Sequence, residues 1–161
     1  MNRELLQLAN RIRQEMTAID YTLNRAIAGL AKSMQNADDL YLDGIALNLH
    51  GFYSGIERLF ERIAVLVDNN LPQGANWHQL LLQQMAEDVR GVRPAVISDE
   101  IRQDLDEYRG FRHIVRNVYA YKFNTLRLGN LTRKAPVVFD QLRKEMFAFA
   151  DFLESSAEDL I

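Results

Sequence analysis

Between Ile12 and Met34 the apolar residues fall at Ile12, Met16, Ile19, Leu23, Ile27, Leu30 and Met34, in steps of 4, 3, 4, 4, 3 and 4. That spacing stacks side chains on one face of an α-helix. Leu5 and Leu8 carry the stripe back toward the start of the chain. Asn36-Ala-Asp-Asp39 is a polar break rich in capping residues. A second stripe follows at Ile45, Leu49, Phe52, Ile56, Leu59 or Phe60, Ile63 and Leu66. Gly44, Gly51 and Gly55 lie inside it, each costing about 1 kcal/mol of helix propensity relative to alanine. Gly51 and Gly55 share a face, which points to close approach of a neighbouring helix. Asp68-Asn-Asn-Leu-Pro-Gln-Gly74 has the composition of a loop.

Trp77 to Glu87 reads as a short helix with Leu80, Leu81 and Met85 inward. After a break at Gly91-Val-Arg-Pro94, Ser98-Asp-Glu100 supplies the hydroxyl and carboxylates that favour a helix start. The stripe of that fourth helix is Ile101, Leu105, Tyr108, Phe111, Val115 and Val118. The polar residues and Gly129 between Asn124 and Thr132 read as its end. Pro136 suits the first turn of a fifth helix, striped by Val138, Leu142, Met146, Phe149 and Leu153. No segment alternates with period two. The expectation is an all-α, up-and-down bundle of four main helices plus a short additional one, forming a single domain over residues 1–161.

Composition changes this picture mainly by exclusion. With 48% hydrophobic and 25% charged residues, the chain is balanced like a globular protein. It has no cysteine, which removes disulfides, zinc-thiolate sites, iron–sulfur clusters and thiol nucleophiles. His50, His78 and His113 form no two-histidine ligand spacing, no Glu-x-x-His pair exists and no glycine-rich phosphate loop is present. No metal site is therefore expected. The Trp77-His78 pair reads as core and surface, and His50, beside Gly51, decides nothing alone. Asp38, Asp39 and Asp43 are explained by capping. The opening MNRELLQLANRIRQEM meets charge before any apolar run of signal-peptide length. No stretch approaches the ~20 apolar residues that span a bilayer. A soluble, cytoplasmic protein with no membrane partner is expected.

The net charge of -3 hides a segregation. Residues 98–108 carry Asp99, Glu100, Asp104, Asp106 and Glu107 against Arg102 alone. Arg109, Arg112, Arg116, Lys122, Arg127, Arg133 and Lys134 then follow with no carboxylate among them. Acid first and base last matches the helix dipole, but that preference fades within a turn and the cations extend further. Arg112, Arg116 and Tyr119, at i, i+4 and i+7, would share one helical face, with Arg109 and His113 adjoining. Arginines interleaved with an aromatic suit phosphate and base contacts. A solvated face, or one paired with acids elsewhere in the bundle, is the alternative.

Residues 109–121 read RGFRHIVRNVYAY. This segment resembles the HEPN superfamily, and within it the HepT-like proteins of bacterial HEPN–MNT toxin–antitoxin pairs. Those are helical bundles with an R-x4-H-x-Y motif late in the chain. Arg112, Asn117 and Tyr119 match its frame, with His113 in the polar position after the arginine; asparagine stands at 117 where the family has histidine. The resemblance implies a metal-independent endoribonuclease toxin that needs no cofactor and works as a homodimer whose cleft takes residues from both copies. Its candidate catalytic residues are Arg112, His113 and Asn117, and Arg109, Arg116 and Lys122 would bind RNA phosphates. It also implies an MNT-type nucleotidyltransferase antitoxin that silences the protein by attaching AMP to Tyr119, with Tyr121 beside it able to play the same part. Cleavage needs a group to take the 2′-hydroxyl proton, a cation for the phosphate and an acid for the leaving oxygen. Asn117 exchanges no protons near neutrality. Either His113, one turn earlier, has taken over, or catalysis is lost and a degenerate HEPN module binds RNA, nucleotide or a partner protein without cleaving.

Overall fold

The computed structural model describes residues 2–117, 119 and 123–159. Its elements are α1 (Asn2–Asn36), α2 (Leu40–Leu66), α3 (Trp77–Met85), α4 (Asp99–Asn117) and α5 (Thr125–Glu158). Long α1 packs along both α2 and α5, α4 lies against α2, and short α3 is wedged between α2 and α4. The architecture is the expected all-α one: four main helices and a short fifth, with no strand among the described residues.

The stripes build the core. Ile12, Met16, Ile19 and Leu23 of α1 meet Ile45, Leu49, Phe52, Ile56 and Ile63 of α2, all buried. At about 1.5–3 kcal/mol for each large apolar side chain removed from water, this seam dominates the α1–α2 pairing. Gly51 and Gly55 lie on it. A Cβ at Gly55 would stand 2.9 Å from Ile19 Cγ1, and one at Gly51 3.3 Å from Thr22 Cγ2. The glycines thus serve close helix packing. Both stripes fade at their C-terminal ends, where Met34 is 68% and Leu66 43% exposed.

Two expectations are corrected. The inner face of α3 is Leu81, Leu82 and Met85, whereas Leu80 points outward. More important, α5 begins at Thr125, where the Asn124 side chain caps it by accepting from the Arg127 N–H at 3.1 Å. Gly129 and Pro136 both lie inside this helix. Leu128, Leu131, Ala135 and Val138 keep helical spacing and are buried, so packing outweighs two unfavourable residues. At α4 the expected cap is present: Ser98 Oγ accepts from the Ile101 N–H at 3.2 Å.

The segment between α2 and α4 is anchored by a buried ion pair. Arg93 donates through Nε to Asp68 Oδ1 at 2.5 Å and through Nη2 to Oδ2 at 2.7 Å. Its other donors reach the carbonyls of Glu87, Pro94 and Gln84 at 2.9, 3.0 and 3.1 Å. All five guanidinium N–H groups are thereby satisfied. This clamp ties the loop after α2 to the end of α3, and so fixes what α3 carries.

Candidate functional site

Three helices meet at the site. One polar row interrupts the apolar surface of α2: His50, Ser54, Glu57 and Glu61, in steps of 4, 3 and 4. It faces α4, whose Arg109, Arg112 and Arg116 recur in steps of 3 and 4. The first turn of α3 brings His78 between them. The α4 arginines and His78 border a cleft of about 570 Å³ lined by Ala75, Asn76, His78, Gln79, Arg109, Arg112, His113, Arg116 and Asn117, and the α2 row lies behind them. No carboxylate is among those lining residues.

Arg112 sits at the base of the cleft, its side chain 15% exposed. Its Nε donates to Ser54 Oγ at 3.1 Å, and Nη1 pairs with Glu57 Oε1 at 3.2 Å. The other carboxylate oxygen, Oε2, contacts Nδ1 of His78 at 2.8 Å. A carboxylate can only accept, so Nδ1 of His78 carries the proton in this arrangement. The 3.2 Å approach of Arg112 Nη1 to the same nitrogen is then a contact between two donors that share Glu57. The His78 ring is further fixed by stacking on Trp77, centroids 3.7 Å apart.

Other groups respond to the same charges. Burial first, then the guanidinium groups of Arg112 and Arg116, hold the His50 imidazole below its ordinary pKa, so it favours the neutral form. Burial and the neighbouring Glu57 raise the carboxyl of Glu61 above the usual range. The Tyr53 hydroxyl, buried one turn before Glu57, finds no hydrogen-bond partner among the described residues. Burial and Glu57 push its pKa far above the usual tyrosine value, so it remains a neutral phenol.

The structure brings Arg109, Arg112, His113, Arg116 and Asn117 to one cleft. His113 and Asn117 are exposed at its rim, where the Asn117 amide donates to the His113 carbonyl at 2.7 Å and lies 3.4 Å from His113 Nδ1. Asn117 is the last residue of α4, so Tyr119 lies beyond the helix, not at its expected helical i+7 position. It is 71% exposed and does not line the cleft. Lys122 and Tyr121 lie outside the described residues.

The basic surface is narrower than the charge run suggested. Arg109 pairs with Asp106 at 2.7 Å, and Lys134 reaches back to Asp104 and Glu107 at 2.8 and 3.1 Å. The Arg127 guanidinium lies 6.0 Å from the centre of the Phe111 ring, and Arg133 reaches Met34 Sδ at 3.9 Å. Among the described residues Arg116 has no carboxylate partner.

His78 and Glu57 were missed by sequence reasoning. The signal available for Glu57 was the polar row on α2, four residues in helical register beside the apolar stripe. His78 had no local signal, since its partners lie 21 and 34 residues away. Among the described residues no three His, Asp or Glu side chains converge as metal ligands, and no helix is long and apolar enough to cross a membrane.

A family model described as HepT-like protein matches residues 44–153, a span that contains Glu57, His78 and every α4 residue of the cleft. Neither curated proteins nor solved structures give a match. The match covers well over half of the 161 residues and agrees with the all-helical architecture; the chain belongs to the HepT-like family and is a HEPN-type module.

Proposed function

We propose that the protein is a metal-independent endoribonuclease of the toxin type, acting as a homodimer. The observation that carries this reading is the Arg112 cleft. Its volume lies within the ~300–1,000 Å³ range of ligand pockets, and its charged lining is purely cationic. A phosphodiester entering it meets Arg112, already oriented by Ser54 and Glu57. Preorganised donors of this kind stabilise the charge that accumulates on phosphate oxygens as a 2′-hydroxyl attacks. Arg109 and Arg116, one turn to either side, suit the flanking phosphates; Lys122, outside the described residues, is proposed as a further phosphate contact on its charge alone. In the homodimer implied by the family, a second copy faces the open side of the cleft.

Incubation with RNA in EDTA tests the reading. Fragments ending in 2′,3′-cyclic phosphate and 5′-hydroxyl are expected. Asn117 favours a second reading, a module that holds RNA without cutting it, because its amide exchanges no proton and is engaged by the His113 carbonyl. Salt-sensitive RNA binding without products would replace the first reading by the second.

Silencing by an MNT-type nucleotidyltransferase belongs to the same proposal. Tyr119 is exposed enough for a second enzyme to reach. Its phenolic oxygen would bond to the α-phosphorus of ATP as pyrophosphate leaves and the phenol proton passes to the transferase. The added phosphodiester brings negative charge near the α4 arginines and competes with RNA for them. With ATP and the partner enzyme, the protein is expected to gain AMP on Tyr119 and to lose cleavage, and Tyr119→Phe to resist both. Modification confined to Tyr121 or elsewhere would remove Tyr119 from the scheme.

A further inference from the structure

We propose that His78, held by Glu57, is the base that takes the 2′-hydroxyl proton, the task for which Asn117 is unfit. This rests on the endoribonuclease reading and adds to it a residue from outside the motif.

Three histidines lie near Arg112, and their surroundings separate them. His50 does not line the cleft, and burial and the charges of two arginines lower the basicity of its ring. His113 lines the rim, exposed, and among the described residues its ring has the Asn117 amide as its one hydrogen-bonding neighbour. His78 lines the cleft and is also fixed on two sides, by Trp77 against its face and by a buried carboxylate at Nδ1.

Glu57 is what makes the arrangement chemical. Its side chain is only 4% exposed, and a carboxylate taken from water is costly unless its oxygens are used. One oxygen holds Arg112, the phosphate-binding cation; the other holds His78. With the proton on Nδ1, Nε2 is left with a lone pair, as a general base requires. A single buried carboxylate therefore sets both the cation and the base, whose nearest nitrogens lie 3.2 Å apart.

The step balances as follows. The 2′-hydroxyl proton passes to Nε2 of His78 while the 2′-oxygen bonds to phosphorus. The bond from phosphorus to the 5′-oxygen breaks, and the leaving oxygen takes a proton from solvent. The products are a 2′,3′-cyclic phosphate and a 5′-hydroxyl, and the imidazolium returns its proton to solvent. Glu57 faces the positive charge that forms transiently on the ring. It is a positioning residue, since it does not touch RNA.

The test compares wild type, His78→Ala, His78→Gln and His113→Ala on RNA and on uridine 3′-(4-nitrophenyl phosphate), whose leaving group needs no proton. Removing a general base should lower cleavage by about 10²–10⁴-fold. Both His78 variants should show that loss on both substrates while binding RNA as wild type does. Added imidazole should restore part of the His78→Ala rate, which a merely structural role does not allow. Ring ¹⁵N shifts of the wild-type protein should report Nδ1 protonated and Nε2 bare. Wild type without cleavage would end the endoribonuclease reading itself. An active wild type with unimpaired His78 variants would overturn only this assignment. So would normal hydrolysis of the nitrophenyl ester by His78→Ala, imidazole rescue of His113→Ala instead, or a ring protonated at Nε2.

Discussion

Arg112→Ala is expected to reduce RNA cleavage by about 10²–10³-fold, the scale on which losing one preorganised donor acts on a charged transition state. Two effects combine in this variant. The phosphate loses its central cation, and Glu57, 4% exposed, is left with His78 as its remaining hydrogen-bond partner. The second effect costs stability, on the order of 1–3 kcal/mol for a buried polar group that loses a partner, so lost activity alone would not identify the cause. Arg112→Lys separates them. A lysine supplies a positive charge beside Glu57, yet it has no Nε–H for Ser54 and no planar fork for a phosphate. It should unfold close to wild type and still cleave at least about tenfold more slowly, the smallest cost of a lost donor with the charge retained. Single-turnover cleavage measured beside thermal unfolding decides the matter. An alanine variant as active as wild type would remove Arg112 from the chemistry, whatever its stability.

The parts of this molecule that were legible in the sequence are those governed by neighbours three or four residues apart. The stripes of the first two helices, the Ser98 cap and the close-packing glycines are of this kind, and so is the Arg109–Arg112–Arg116 row. The start of α5 was misread because Gly129 and Pro136 were weighed as breakers, although Leu128, Leu131, Ala135 and Val138 continued the helical spacing across both. Here burial on one face prevailed over local propensity. The charge run misled in the opposite direction. Arg109 and Lys134 look free in a window without acids, but the acids of the first turns of α4 are within reach of them in space. The Glu57–His78–Arg112 cluster depends on three helices meeting, and no spacing rule on one helix reports that. What the sequence offered was a polar row on α2 with no apparent reason to be there. A buried-looking row of His, Ser and Glu asks for partners, and α3 and α4 supply them.

The positions of those partners depend on a clamp some distance from the cleft, which makes Asp68→Ala a substitution expected to damage the fold severely. Asp68 and Arg93 are 3% and 0% exposed at their side chains. Removing the carboxylate strands a buried guanidinium, and breaking a buried pair in this way typically costs about 3–5 kcal/mol. For a domain of this size each kcal/mol moves the melting temperature by about 2–4 °C, so a fall of roughly 6–20 °C is expected. The double variant Asp68→Ala, Arg93→Met removes the stranded charge and should recover part of the loss. It should not recover all of it, because the carbonyls of Gln84, Glu87 and Pro94 lose the donors that Arg93 now supplies. The clamp also joins the end of α2 to the end of α3, and His78 occupies the opposite end of that nine-residue helix. Loosening it should therefore lower cleavage below the melting transition as well as lowering the transition, and the double variant should restore stability more fully than activity. Chemical denaturation measured in parallel with cleavage at low temperature tests this. A melting temperature within 2 °C of wild type for Asp68→Ala, less than the ~2–4 °C expected per kcal/mol, would show that the pair is dispensable and that α3 is held by its apolar face alone.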